Sequence, residues 1–148
     1  MKDIPLSEIT LRKYEKPVNL EKRELVRKIC LSLGLLQLAD SRDVIVDILM
    51  VLIESNKDKI KLSSDDIRMK AEKLRKEYSL ETKGLAESNI RRQLKRLRDA
   101  MLIEKTDNKY YLAEHASLKE IFEGSIEKFI IPQTINRIKE YLEELDKL

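Results

Sequence analysis

No tryptophan, one cysteine, one histidine, three glycines and three prolines occur in the chain, and each shortage excludes a class of protein. A lone Cys30 forbids an internal disulfide, and together with the single His115 it cannot assemble a Cys/His zinc cluster. Cys30 lies beside an apolar helical stripe and reads as a small buried hydrophobe. So few glycines leave no phosphate-cradling loop of the GxxxxGK[ST] kind. No apolar run reaches the roughly 20 residues that a bilayer span requires, and the charged N-terminus lacks the apolar core of a secretory signal. A cytoplasmic protein with no membrane association is expected. His115 has no nucleophile signal near it, and the acidic pairs Asp65-Asp66 and Glu143-Glu144 fall at a helix start and on a solvated face. No catalytic residue, metal ligand or cofactor is expected, and the chain does not read as an enzyme.

Charge is what the chain has in abundance. Of its 148 residues, 30 are basic and 27 acidic, leaving a net charge of +3. The total is uninformative, but the distribution is not. Residues 1–39 sum to +3, 40–82 to −1, 83–112 to +4 and 113–148 to −3. Abundant Lys, Glu and Ile, with three Gln, tilt the composition towards a thermophilic source. At this length one compact core with extensions is the expected organisation.

Residues 1–18 hold Pro5 and Pro17 and an alternation at Ile9 and Leu11 that fits either a short strand or an ordered arm. Asn19 is the expected N-cap of a helix running to about Leu36, with Leu25, Ile29, Leu33 and Leu36 on its apolar side. The basic residues of this region, Arg12, Lys13, Lys16, Lys22, Arg23, Arg27 and Lys28, alternate with Glu15, Glu21 and Glu24 and read as a solvated face. Asp40 or Ser41 should cap a second helix to about Asn56, whose wide apolar face implies burial on more than one side. A Ser63 or Ser64 cap followed by Asp65 and Asp66 then starts a third helix, with Ile67, Ala71, Leu74 and Tyr78 on one face.

The stretch with the strongest pattern runs from Leu85 to Leu112. Ile90, Leu94, Leu97 and Met101 recur at helical spacing, and the opposite side carries Ser88, Arg92, Lys95, Arg96 and Asp99, flanked by Asn89 and Arg91. Between Ser88 and Arg98 there are five basic residues and no acidic one. Two β-rich runs follow, Leu102–Thr106 and Lys109–Leu112, joined by Asp107-Asn108, residue types that tolerate the positive φ of a two-residue hairpin turn. Tyr110 and Leu112 should anchor the hairpin inward while Tyr111 points out.

Helix followed by hairpin resembles the winged helix-turn-helix family of DNA-binding domains, prokaryotic and archaeal-type regulators, over roughly residues 41–113. The fold class implied is mainly α with a small β-hairpin wing, carrying N-terminal (1–40) and C-terminal (114–148) helical extensions. The resemblance implies that Lys59–Leu62 supplies a small strand pairing with the wing, that the helix before the hairpin enters the major groove and that the hairpin meets the neighbouring backbone. Ser88 and the helix amides suit a phosphate, Arg92 a guanine and Asn89 an adenine, while Arg91, Lys95, Arg96 and Arg98 neutralise phosphates and Lys105 and Lys109 flank the hairpin tip. Two departures stand out. The Ser79–Leu85 connection exceeds the usual turn of about three to four residues, and Met101 occupies the place where many family members end the helix with glycine.

Beyond the hairpin, Leu118, Ile121, Phe122, Ile126 and Phe129 form an amphipathic helix that Pro132 is expected to stop. Ile135, Ile138, Leu142 and Leu145 then alternate by three and four residues, a heptad seam too short to stand alone. It can dock on its own domain or pair with a second subunit; pairing is favoured, because the core is complete by Leu112. Two functions follow: a homodimeric transcription regulator that binds double-stranded DNA, or a winged-helix protein-interaction module serving as an accessory subunit of a transcription, replication or chromosome-organising complex. A cationic helix face is also what any solvated helix shows, so the wing is what tilts the reading towards DNA.

Overall fold

The computed structural model describes residues 8–10, 16–37 and 42–148. Asp40, Ser41, Leu11, Arg12 and Lys13 lie outside that range, and the second helix starts at Val44 with Asp43 in its cap position, in place of the expected Asp40 or Ser41 cap. In chain order the elements are α1 (Lys22–Ser32), α2 (Val44–Asn56), β1 (Leu62–Ser63), α3 (Ser64–Glu77), α4 (Glu87–Asp99), β2 (Ile103–Thr106) and β3 (Lys109–Leu112). A short turn, Ala113–His115, leads to α5 (Leu118–Ile121), a π-helical segment (Phe122–Ile130) and α6 (Ile131–Asp146). The architecture is mainly helical with one small antiparallel sheet, and no described helix is long and apolar enough to cross a membrane.

The core is built around α2. Every residue from Val44 to Leu52 is buried, which is why this helix shows an apolar majority rather than a stripe. It packs against α1, α3, α4 and β3. Each partner supplies a narrower face: Val26 and Cys30 from α1, Ile67 and Ala71 from α3, and Ile90, Leu94 and Leu97 from α4. The sheet has the order β1-β3-β2, with Ile103 opposite Leu112, Lys105 opposite Tyr110 and Leu62 opposite Tyr110 on the other side. Asp107 (φ 52°) and Asn108 (φ 60°) form the two-residue turn of the β2–β3 hairpin, both in the left-handed region that matches strand twist.

Helix ends follow local chemistry. Ser63 caps α3, its hydroxyl accepting from the Asp66 amide at 3.2 Å. Three C-termini close with paired amides reaching back into the last turn, the Schellman arrangement, with the residue after the cap at positive φ. That residue is Gly34 (φ 73°) after α1, Ser79 (φ 54°) after α3 and Met101 (φ 65°) after α4. After α4, Met101 N–H donates to the Arg98 carbonyl (2.9 Å) and Leu102 N–H to that of Leu97 (3.1 Å).

Several expectations are corrected. The first helix does not extend to Leu36, because Gly34 closes it; nor does Asn19 cap it, for Asn19 sits at φ 58° and Glu21 occupies the cap without a side-chain bond. Met101 is not on the buried α4 stripe: its left-handed backbone turns it outward, half exposed. The short strand is Leu62–Ser63 rather than Lys59–Leu62. Tyr78 is exposed, and Arg75 takes the buried place on α3. Tyr111 does not point out; it is buried, stacks on His115 with ring centroids 4.7 Å apart and shares a 2.8 Å hydrogen bond with Thr106. Phe129 is exposed rather than buried.

Pro132 does not stop the last helix. The backbone is right-handed helical at Ile121, Phe122, Ile130 and Ile131, so α5, the π segment and α6 form one winding rod. Proline lacks an N–H and its ring presses on the preceding turn, and the wider π winding just before it makes room. The root of the rod is held by Ile121 and Ile126, which are buried. Beyond Ile131 every residue of the rod is exposed.

Candidate nucleic-acid interface

The cationic side of α4 faces outward because its other side is pinned. Ile90, Leu94 and Leu97 are fully buried, so helical geometry leaves Ser88, Arg91, Arg92, Lys95, Arg96 and Arg98 exposed. Arg91 pairs with Glu87 at 2.6 Å and Lys95 with Asp99 at 3.0 Å, both one turn apart on the solvated surface. Such exposed pairs are worth about 0–1 kcal/mol. Among the described residues, Arg92, Arg96 and Arg98 have no carboxylate within ion-pair distance. Arg92 donates to Asn89 Oδ1 (2.6 Å), and Arg96 to Gln93 Oε1 (2.9 Å) and to the Gly34 carbonyl (3.5 Å).

Asn89 is engaged within the protein. Its Nδ2 donates to the Gly84 carbonyl at 2.6 Å, and its Oδ1 accepts from Arg92 and from Gln93 (3.1 Å). The residue ties the connecting loop to α4 and holds Arg92, rather than extending a free amide into solvent. Ser88 is exposed in the first turn, where the cap residue Ala86 has no side chain to accept from the amides.

The hairpin stands beside this face. One cleft of about 410 Å³ is lined by Ser63 and Ser64 at the start of α3, Arg91 of α4, and Lys105, Asn108 and Tyr110 of the hairpin. A second, of about 560 Å³, brings Lys95 and Arg98 beside Lys105 and Thr106. Lys105 is therefore common to both, with its ammonium 5.5 Å from the Tyr110 ring centroid. Lys109 is exposed near the hairpin turn and lines neither cleft. The start of α3 was not foreseen as part of this surface. Its Ser63 cap is plain in the sequence, but the proximity to Arg91 comes from folding.

A buried ion cluster ties α1, α2 and α3 together and reaches the loop that leads to α4. Arg75 of α3 donates from Nη1 to Asp43 (2.8 Å) and Asp47 (2.7 Å), and from Nε to the Glu81 carbonyl in the loop that leads to α4. Arg23 of α1 reaches the same two carboxylates, and Arg27 reaches Asp43 at 3.3 Å. Arg23 and Arg27 are thus turned inward, correcting their reading as part of a solvated face. Burial pushes the Asp43 carboxyl up, but hydrogen bonds from Arg75 and Arg23 and the charges of both outweigh it and hold it below its ordinary 3.8. Burial likewise opposes the charge on Arg75, and its two aspartates more than restore it.

Ile135, Ile138, Leu142 and Leu145 remain uncovered, at 48% to 63% exposure. The chain therefore does not cover this seam with its own described residues. Compared with known proteins, the chain matches no family profile, no curated protein and no solved structure.

Proposed function

We propose that the chain is a winged-helix DNA-binding protein, a transcription regulator acting as a homodimer on double-stranded DNA. The observation that carries the reading is positional: an exposed helix face with five cations, whose other side is buried, runs straight into a two-residue-turn hairpin bearing Lys105 and Lys109. The element order helix, strand, helix, helix, strand, strand, with β1 pairing to the hairpin, agrees with it. In this reading α4 enters the major groove. Arg92 reads guanine, and Arg91, Lys95, Arg96 and Arg98 meet phosphates. Lys105 and Lys109 contact the flanking backbone, and Ser88 approaches a phosphate at the helix start. Asn89 acts through Arg92, whose guanidinium it holds, unless binding releases it to an adenine. The α6 seam joins two copies through Ile135, Ile138, Leu142 and Leu145.

Titration of the full chain against random-sequence duplex at two salt concentrations tests the DNA reading. Micromolar or tighter binding at low salt is expected. Arg92→Ala/Arg96→Ala should weaken it at least tenfold and lower the log–log salt slope by about 2, one counterion release per cation. Binding that is immeasurable at low salt, or indifferent to the double substitution, removes the reading. The exposed α6 seam would then favour the interaction-module alternative, an accessory subunit held through its C-terminal rod.

A further inference from the structure

Asn89, Arg92, Gln93 and Arg96 stand at i, i+3, i+4 and i+7 on α4, which puts them on one row of the helix surface. Their hydrogen bonds form a single chain along that row. Its foot is the Gly84 carbonyl, which accepts from Asn89 Nδ2 at 2.6 Å. Asn89 Oδ1 then accepts from Arg92 Nη2 (2.6 Å) and from Gln93 Nε2 (3.1 Å), which fills both lone pairs of that oxygen. Gln93 Oε1 carries the chain on by accepting from Arg96 Nη1 at 2.9 Å. Arg96 Nη2 ends it loosely at the Gly34 carbonyl (3.5 Å), in the turn that closes α1. The row is anchored on backbone at both ends. Glycine at position 84 leaves room for the foot, since a Cβ there would stand 3.4 Å from Asn89 Nδ2 and 3.1 Å from Val44 Cγ2.

The chemistry of the holders separates this row from its neighbours. Arg91 and Lys95 rest on the carboxylates of Glu87 and Asp99, which offset their charge. Arg92 and Arg96 rest on amides, which accept a hydrogen bond and carry no charge. Both guanidinium groups are oriented without a compensating carboxylate among the described residues, and most of each N–H fork stays open. We propose that Gln93 is a positioning residue: supported by Asn89, it presets the Arg96 guanidinium for a phosphate of the duplex. The proposal rests on the DNA reading above and adds the residue that orders one of its cations before binding. An arginine ordered in advance loses less rotamer freedom when it docks, so Gln93 raises affinity without touching the duplex. The holder has to be neutral. A carboxylate at the same place would also hold Arg96, yet it would cancel charge that the phosphates attract.

The test uses the full chain with Gln93→Met, which keeps side-chain length and helix propensity while removing the hydrogen bonds. In the free protein, nitrogen relaxation at the Arg96 Nε–H should show a lower order parameter in this variant, with an unchanged melting temperature. Affinity for random-sequence duplex should fall about three- to tenfold, the cost of ordering one long side chain on binding. The log–log salt slope should stay the same, because no charge is lost. Gln93→Glu should keep Arg96 ordered, weaken binding more than Gln93→Met does, and lower the salt slope. In an Arg96→Ala background, Gln93→Met should weaken binding by less than about twofold. A full loss in that background makes Gln93 a direct contact and overturns the positioning role, as does an unchanged order parameter or an unchanged affinity. The DNA reading survives each of those results. An unaltered chain that binds no duplex at low salt overturns the DNA reading and the role of Gln93 together.

Discussion

Met101 shows how one residue type and one backbone requirement can disagree. The α4 terminus demands a left-handed residue after its cap, and methionine supplies it at φ 65°. An L-residue there costs roughly 1–2 kcal/mol, partly offset by the roughly 0.5–1 kcal/mol of extra chain entropy that glycine loses on folding. Met101→Gly should therefore stabilise the protein by about 0.5–1 kcal/mol in a urea melt. At Asp47 the sign is reversed. Its fully buried carboxylate faces Arg23 and Arg75, so Asp47→Ala leaves two guanidinium groups with lost partners and should cost about 3–5 kcal/mol, read as a large fall in the melting midpoint. Asp43 adds a pH dependence. Its folded carboxyl titrates below the unfolded value of 3.8, so its contribution is complete above that pH and disappears as pH falls through the lower folded value. Asp43→Asn should flatten the acid limb of the stability profile measured between pH 5 and 2. Burial pushes the Cys30 thiol up to about 12, and it should react with a thiol reagent only on unfolding. None of these ionic roles was legible in the sequence, where Arg23 and Arg27 looked like members of a solvated charge run. Their aspartate partners lie 16 to 24 residues away, beyond the reach of any helical periodicity.

At the scale of elements, legibility followed locality. The α3 start was evident from Ser63 with Asp65 and Asp66, and the hairpin from Asp107-Asn108, because caps and tight turns are satisfied by residues three or four positions apart. Ser63→Ala should cost about 1 kcal/mol through the lost amide bond to Asp66, measurable by thermal melt. The inner stripe of α4 was equally plain, since Ile90, Leu94 and Leu97 repeat at helical spacing. The end of α1 was misjudged because Leu35 and Leu36 keep the apolar spacing beyond the turn at Gly34, where a side chain would meet the Glu8 carbonyl at 2.6 Å. Pro132 was misjudged for the opposite reason. A proline signals a break to any local rule, yet a π segment just upstream leads the helical backbone through it, and its root is held by the buried Ile121 and Ile126.

The whole molecule is a compact body from which a rod projects. Removing the residues after Ile131 deletes the exposed seam without touching a buried side chain. The truncated chain should fold with an unchanged helical core, scatter light as a monomer and bind a single half-site more weakly than the full chain binds a pseudo-palindrome. A persistent dimer mass would remove α6 from the assembly. In a DNA-binding dimer the two α4 helices must stand about 34 Å apart, one duplex turn, or a multiple of it; small-angle scattering of the full chain with duplex tests that spacing. By itself the amino-acid order determined the start of α3, the hairpin turn, the inner stripe of α4 at Ile90, Leu94 and Leu97, and that the cations gather between Ser88 and Arg98, since all of these depend on near neighbours. Only the tertiary structure decided that Arg23, Arg27 and Arg75 turn inward onto shared aspartates, that Tyr111 is covered, and that the last helix leaves the body. Those outcomes depend on which distant surfaces meet, and no spacing rule along one chain encodes that.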